Sequence, residues 1–271
     1  MSKKISLSGI QPSGKPHIGN YFGMMKQLVD MQDEYEVYAF IVDYHALKSV
    51  RNAKEMKANI IGVVLDYLAM GLDPKKVMLF KQSDVSAHSE LTWIFDTLVT
   101  VPYLQRAHAY KDAEAKDKEI NVGTFNYPML MAADILLYDT DIVPVGEDQR
   151  QHLEYTREAV TKFNLAFGEG TLKEPQEHIL KAVGVVPGLD GQKMSKSYKN
   201  TIPLFASRDE IAKAVMSIVT DSSGDRPEHV YAIHKVLKNP VDLDPLYEEH
   251  KGKYKNLKDA LVEDIDAHLA P

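Results

Sequence analysis

Two periods of apolar positions, one of strands and one of helices, exchange along the first two-thirds of the chain. Ile5 to Ile10 has the pattern of a buried strand. The turn-rich run Gln11-Pro12-Ser13-Gly14-Lys15-Pro16 follows, and then Ile18, Tyr21 or Phe22, Met25, Leu28 and Val29 recur at helical spacing. A second strand is predicted over Val37 to Val42, ending at Asp43; Asn52 is placed to cap a helix running to about Met70, and Val77 to Phe80 makes a third, short strand. From Ser86 to Tyr138 the pattern is helical, interrupted by the mixed charges of Lys111 to Glu119, which suit a solvated loop. Asp141 to Val145 predicts a fourth strand, and Glu147 to Phe163 a helix with acidic residues at its positive end. Gly168 to Pro175 then reads as a surface loop and Ile179 to Val186 as a last strand. Beyond Gly188-Leu189-Asp190-Gly191 the chain turns helical again near 207–219, 228–237 and 254–269.

Strands alternating with long helices predict an α/β protein on a doubly wound parallel sheet. The change of pattern near residue 190 sets the expected division. Residues 1–190 form the α/β domain, with the helical segment 86–138 inserted in it, and 191–271 form a small helical domain.

Composition excludes several classes. Among 271 residues there is no Cys, hence no disulfide framework, thiolate zinc site, iron–sulfur cluster or Cys nucleophile, and a reducing compartment, the cytoplasm, is expected. The longest stretch free of Asp, Glu, Lys and Arg, Ile120 to Ala133, has fourteen residues, short of the ~20 a membrane span needs. Lys3 and Lys4 are followed by no signal-peptide core. The 32 Lys and Arg against 39 Asp and Glu leave a net charge of −7, which argues against holding nucleic acid by bulk charge, though a local basic patch could still do so. The ten His show no metal-binding spacing, so no protein-bound metal is expected. Trp93, in an apolar helix, is expected in the core.

Gly9 to Lys15 fits the phosphate-loop pattern G-x-x-x-x-G-K, and Ala39 to Asp43 resembles a strand ending in a magnesium-holding Asp. The fit fails at the next position. Pro16 supplies neither the metal-binding hydroxyl nor a backbone N–H, which leaves a P-loop NTPase as the least favoured reading.

The same loop continues as His17-Ile18-Gly19-Asn20, and Lys193-Met194-Ser195-Lys196-Ser197 stands far downstream. His17 and Asn20 lie one turn apart at a helix start suited to phosphate, and Gly19 admits close approach to the backbone. In these two motifs the chain resembles the class I aminoacyl-tRNA synthetases, whose signatures are H-I-G-H, here with Asn for the second His, and K-M-S-K-S. Three further runs resemble the tryptophanyl members: Ser8 to Gly14, Tyr127 to Tyr138 and Val143 to Gln149.

On a helix Tyr127, Met131, Asp134 and Tyr138 form one stripe. Buried there, Asp134 needs a partner, either a neighbouring helix end or, as the resemblance implies, the indole N–H of tryptophan, a donor facing an acceptor. A phenol can also donate to a carboxylate, so Asp134 alone leaves a tyrosyl-type enzyme open; the runs around it look tryptophanyl. The resemblance implies that Tyr127, Met131, His45 and Gln149 line the amino-acid pocket, although His45 has an alternative as a loop residue bonded to backbone. It places Gln11, Pro12, Ser13, Gly19, Asn20, Val186 and Lys193 to Ser197 at ATP, together with Gly146, Glu147 and Asp148, the two acids being otherwise ordinary helix-start residues. Leu7 stands where the family often has an aromatic residue.

The implied fold is a Rossmann-like catalytic domain. The implied reaction is attack of the tryptophan carboxylate on ATP, with magnesium accompanying the nucleotide, then transfer to tRNA(Trp) by a homodimer. The catalytic set carried over is Lys193, Ser195, Lys196, Gln11 and His17. A non-catalytic relative that binds adenylate or RNA is the rival. Tryptophanyl enzymes usually continue past a segment resembling His268-Leu269-Ala270-Pro271, so a shortened C-terminus is expected.

Overall fold

A computed structural model describes residues 3–12, 14–115, 120–145, 150–179, 186–220 and 224–269. Five parallel strands, β1 (Ile5–Ile10), β2 (Glu36–Ile41), β3 (Val77–Lys81), β4 (Ile142–Val145) and β5 (Gln176–Ile179), form one sheet in the order β3-β2-β1-β4-β5. The order reverses between β1 and β4, and it is beyond the carboxyl ends of strands at such a reversal that doubly wound sheets take their ligands. The α/β reading and its parallel sheet hold.

The last strand starts earlier than expected: pairing with β4 begins at Gln176, directly after the run read as a loop, and 180–185 lie outside the described residues. The cause is the register. Gln176 N–H reaches Asp141 O, and Asp141 in turn bonds the start of β1 through its carboxylate and Ile5 N–H.

The chain folds as two units, Met1–Gly14 with Leu28–Leu180, and Lys15–Gln27 with Lys181–Pro271. In the first unit, Leu7, Phe40, Val42, Ile135, Val143, Val145 and Leu153 form the core against the sheet, and a second core joins the helices Ala87–Leu98, Val122–Leu136 and Arg150–Phe167 through Phe95, Met129, Ala132, Leu136, Tyr155 and Ala159. Among its described residues the segment 86–138 holds four helices, the others being Val101–Leu104 and His108–Ala115. Part of the expected charged loop is therefore helical, tied down where the Tyr110 ring meets Phe125 edge-on.

Trp93 is a correction. It is 71% exposed, because its helix turns His88 and Phe95 inward and Trp93 lies on the opposite face. In the second unit the helices Arg208–Met216, Glu228–Leu237, Pro240–Glu249 and Tyr254–Leu269 bury Ile211, Val215, Ile233, Leu243, Leu257, Leu261 and Ile265. Among the described residues, no helix is long and apolar enough to cross a membrane.

Candidate active site

In the first unit the candidate residues follow the strands: Gln11 comes directly after β1, His45 in the short helix Asp43–Ala46 after β2, and Gln82 directly after β3. Gly146 to Gln149, after β4, lie outside the described residues, as does Ser13.

Asp134, 3% exposed near the end of the helix Val122–Leu136, is the centre of this arrangement. His45 Nε2 donates to its Oδ2 at 2.8 Å and Gln82 Nε2 to its Oδ1 at 2.7 Å. His88 Nδ1 stands 2.7 Å from Oδ1, out of line for a full hydrogen bond. The Tyr138 hydroxyl bonds His88 Nε2 at 2.8 Å, so the imidazole tautomer that accepts from Tyr138 turns its N–H toward the carboxylate. Burial, with the Asp134 charge adding to it, pushes the Tyr138 phenol up to about 12, which keeps it a donor at neutral pH. Asp134 is thus held by side chains rather than by a helix end, and His45 by a carboxylate rather than by backbone.

Sequence reasoning missed Gln82 and His88. Nothing in a lone Gln or His marks a partner some fifty residues away; only the parallel register carries Gln82 past β3 to Asp134. Tyr127 stands edge-on to His45 with rings 5.9 Å apart and the Lys48 ammonium 4.6 Å above its face. Met131 packs against the cluster containing Leu7, Val143 and Val145, and Leu7 is fully enclosed in it, an apolar wall without an aromatic ring.

The second unit holds the two signatures. His17 begins the turn Ile18–Asn20 and is buried; Asn20 Oδ1 accepts its backbone N–H at 3.1 Å. Ile18 N–H bonds Ile202 O and Leu204 N–H bonds Pro16 O, so this segment is zipped to the chain just past Lys193–Ser197. A side chain at Gly19 would come within 2.9 Å of Nδ1 of the buried His17 ring and touch Met194 Cβ at 3.4 Å, so Gly19 eases the packing where the motifs approach each other. Met194 and Val186 are buried and joined by a hydrogen bond from Met194 N–H, while Lys193, Lys196 and Ser197 are exposed. Gly9, the first glycine of the apparent phosphate loop, is a strand residue of β1.

Burial, with the Lys196 charge adding to it, lowers His17 from 6.5 to about 4. His17 is therefore neutral at pH 7, a hydrogen-bonding group rather than a cation. The folded state resists a proton that the unfolded chain accepts, so stability falls as pH drops from 6.5 toward 4, by about 1.4 kcal/mol per pH unit within that window. Urea unfolding at pH 7.5 and 5.0 should show this loss, and His17→Asn should flatten it.

The chain matches the family described as tRNA synthetases class I (W and Y) over residues 2–269. It is 56% identical to a tryptophan–tRNA ligase of Fusobacterium nucleatum over 81% of this chain and 68% of that one, and 43% identical to that of Rhodopirellula baltica over 98% and 85%. Among solved structures, tryptophanyl-tRNA synthetase from Campylobacter jejuni complexed with ADP and tryptophan superposes with a TM-score of 0.90 at 40% identity, covering 98% of this chain and 86% of that one. On this match the chain belongs to the class I tRNA synthetases of the tryptophanyl and tyrosyl (W and Y) family.

Proposed function

We infer that the chain is a tryptophan–tRNA ligase, which joins L-tryptophan to ATP with release of pyrophosphate and then passes the tryptophanyl group to tRNA(Trp). The observation that carries the specificity is the Asp134 carboxylate. Of about four lone-pair positions on its two oxygens, His45, Gln82 and His88 face three, and one on Oδ2 is left for a donor such as the indole N–H. Met131, half-buried against the core of Leu7, Val143 and Val145, offers apolar surface for the ring.

The nucleophile is already ionised at pH 7, so the first step needs no general base. It needs the phosphates positioned and their growing charge neutralised. Exposed Lys193 and Lys196 suit that task, Ser195 adds a donor, and His17 and the N–H groups around Gly19 take further phosphate oxygens. Magnesium enters as the ATP complex. Gly146 to Gln149 and Ser13 complete the ligand contacts in this reading.

Tryptophan-dependent exchange of pyrophosphate into ATP, with tyrosine as control, tests it. Exchange with tryptophan alone is expected; exchange with tyrosine favours the tyrosyl type, and none with either favours an adenylate- or RNA-binding relative.

A homodimer belongs to the same reading. Ile61, Leu65 and Leu68 lie at i, i+4 and i+7 on the helix Ala53–Ala69 and are exposed, as are Leu47 and Met78. Such apolar exposure supports an association surface. Sedimentation equilibrium should give a dimer, and Leu65→Lys a monomer; a monomeric wild type would count against it.

A further inference from the structure

Asn200 follows the Lys193–Ser197 motif and touches neither signature with a charge, yet it is 3% exposed and every polar atom of its side chain is engaged. Its Oδ1 accepts Ser195 N–H at 2.8 Å. Its Nδ2 donates to Asp190 Oδ1 at 2.7 Å and to Lys193 O at 3.1 Å. Its own carbonyl accepts Leu189 N–H at 2.9 Å. One carboxamide thus grips the backbone on both sides of buried Met194 and the turn before it.

The rest of the loop is shaped around that grip. Gly188 lies so close that a Cβ there would collide with the Asn200 carboxamide, and Asp190 Oδ1 also accepts Gln192 N–H at 3.0 Å. Leu189 O takes Val219 N–H, and Lys258 Nζ caps the same segment by donating to Met216 O and Ile218 O. Asn200 is therefore the joint through which the helical bundle of this unit reaches the backbone that carries Lys193 and Lys196.

We propose that Asn200 is a positioning residue that holds the Lys193–Ser197 loop in its working shape for the adenylation step. The assignment rests on the ligase reading above and adds a residue to it. Asparagine is required because the site needs an acceptor for Ser195 N–H and a donor for two oxygens at once. Aspartate would set its carboxylate against the Asp190 carboxylate and the Lys193 carbonyl. Misplacing the lysines by about 1 Å is enough to lose a large part of the rate, because orientation rather than binding is what the loop contributes.

The test uses the full chain. In tryptophan-dependent pyrophosphate exchange with magnesium ATP, Asn200→Ala should lower kcat about 10- to 100-fold while tryptophan affinity, measured separately by equilibrium binding, changes by less than about 2-fold. Asn200→Asp should lose more and Asp190→Ala less. Trypsin should cut after Lys193 and Lys196 about ten times faster in Asn200→Ala than in wild type, with other sites unchanged. Wild-type kcat in Asn200→Ala, an equal fall in tryptophan affinity, or unchanged trypsin cleavage would overturn the role. If the wild type shows no exchange, the ligase reading fails while the trypsin comparison still decides the role of Asn200 in the loop. Should Asn200→Ala be insoluble, the graded loss in Asp190→Ala, whose side chain is exposed, decides in its place.

Discussion

Replacing Asp134 with Asn should lower kcat/KM for tryptophan about 10³-fold and leave the KM for ATP nearly unchanged. An amide has one accepting oxygen and two N–H donors. Whichever way it is turned, its NH2 faces a group that now donates, either His45 Nε2 on one side or Gln82 Nε2 and the His88 N–H on the other. The pocket loses its acceptor for the indole at the same time as its support. Because buried donors left without partners cost about 1–3 kcal/mol each, the variant should also unfold at lower urea concentration, by about 2–4 kcal/mol. Kinetics with tryptophan and phenylalanine, beside urea unfolding, separate the two effects: the ratio of the two amino acids should collapse, because phenylalanine never used the acceptor. A variant that keeps its preference for tryptophan would remove Asp134 from recognition.

Lys196→Ala should cut the rate of activation by about 10²- to 10³-fold while tryptophan binds within about 2-fold of wild type. The Lys196 ammonium is exposed and close enough to His17 to help depress its protonation, so its charge acts on the ground around the first signature. Removing it takes away a counter-charge that matters most as pyrophosphate departs, when negative charge on the leaving oxygen grows. Stopped-flow activation and tryptophan titration read the two quantities independently. Equal losses in both would show that Lys196 supports binding and not the chemical step.

Which parts of this were legible in the residues follows from how local the causes are. β1 to β4 were readable because each is a short apolar run bounded by turns, and the two signatures because they are contiguous runs that resemble those of a known family. Asp134 stood out as a charge in an apolar stripe, a local contradiction. Gln82, His88 and Asn200 did not stand out, since their roles come from partners brought in by the fold: Gln82 by strand register and Asn200 by the return of the chain past Gly188. β5 was misplaced because its position is set by pairing with β4, not by its own polar sequence Gln-Glu-His-Ile. Trp93 was misjudged because a bulky apolar residue was weighed without knowing which face of its helix points inward.

The stretch Lys15–Gln27 belongs to the second unit although it leaves the ribosome before almost all of the first. Ile18, Phe22 and Met25 are buried in the folded protein, and the backbone that pairs with Pro16 and Ile18 comes from Leu204 and Ile202, far later in the chain. During translation these side chains have no permanent cover. Folding cannot be completed one unit after the other from the N-terminus, and loop closure over such a separation is slow. The nascent chain therefore carries an uncovered apolar helix face until Ile202 and Leu204 have been made.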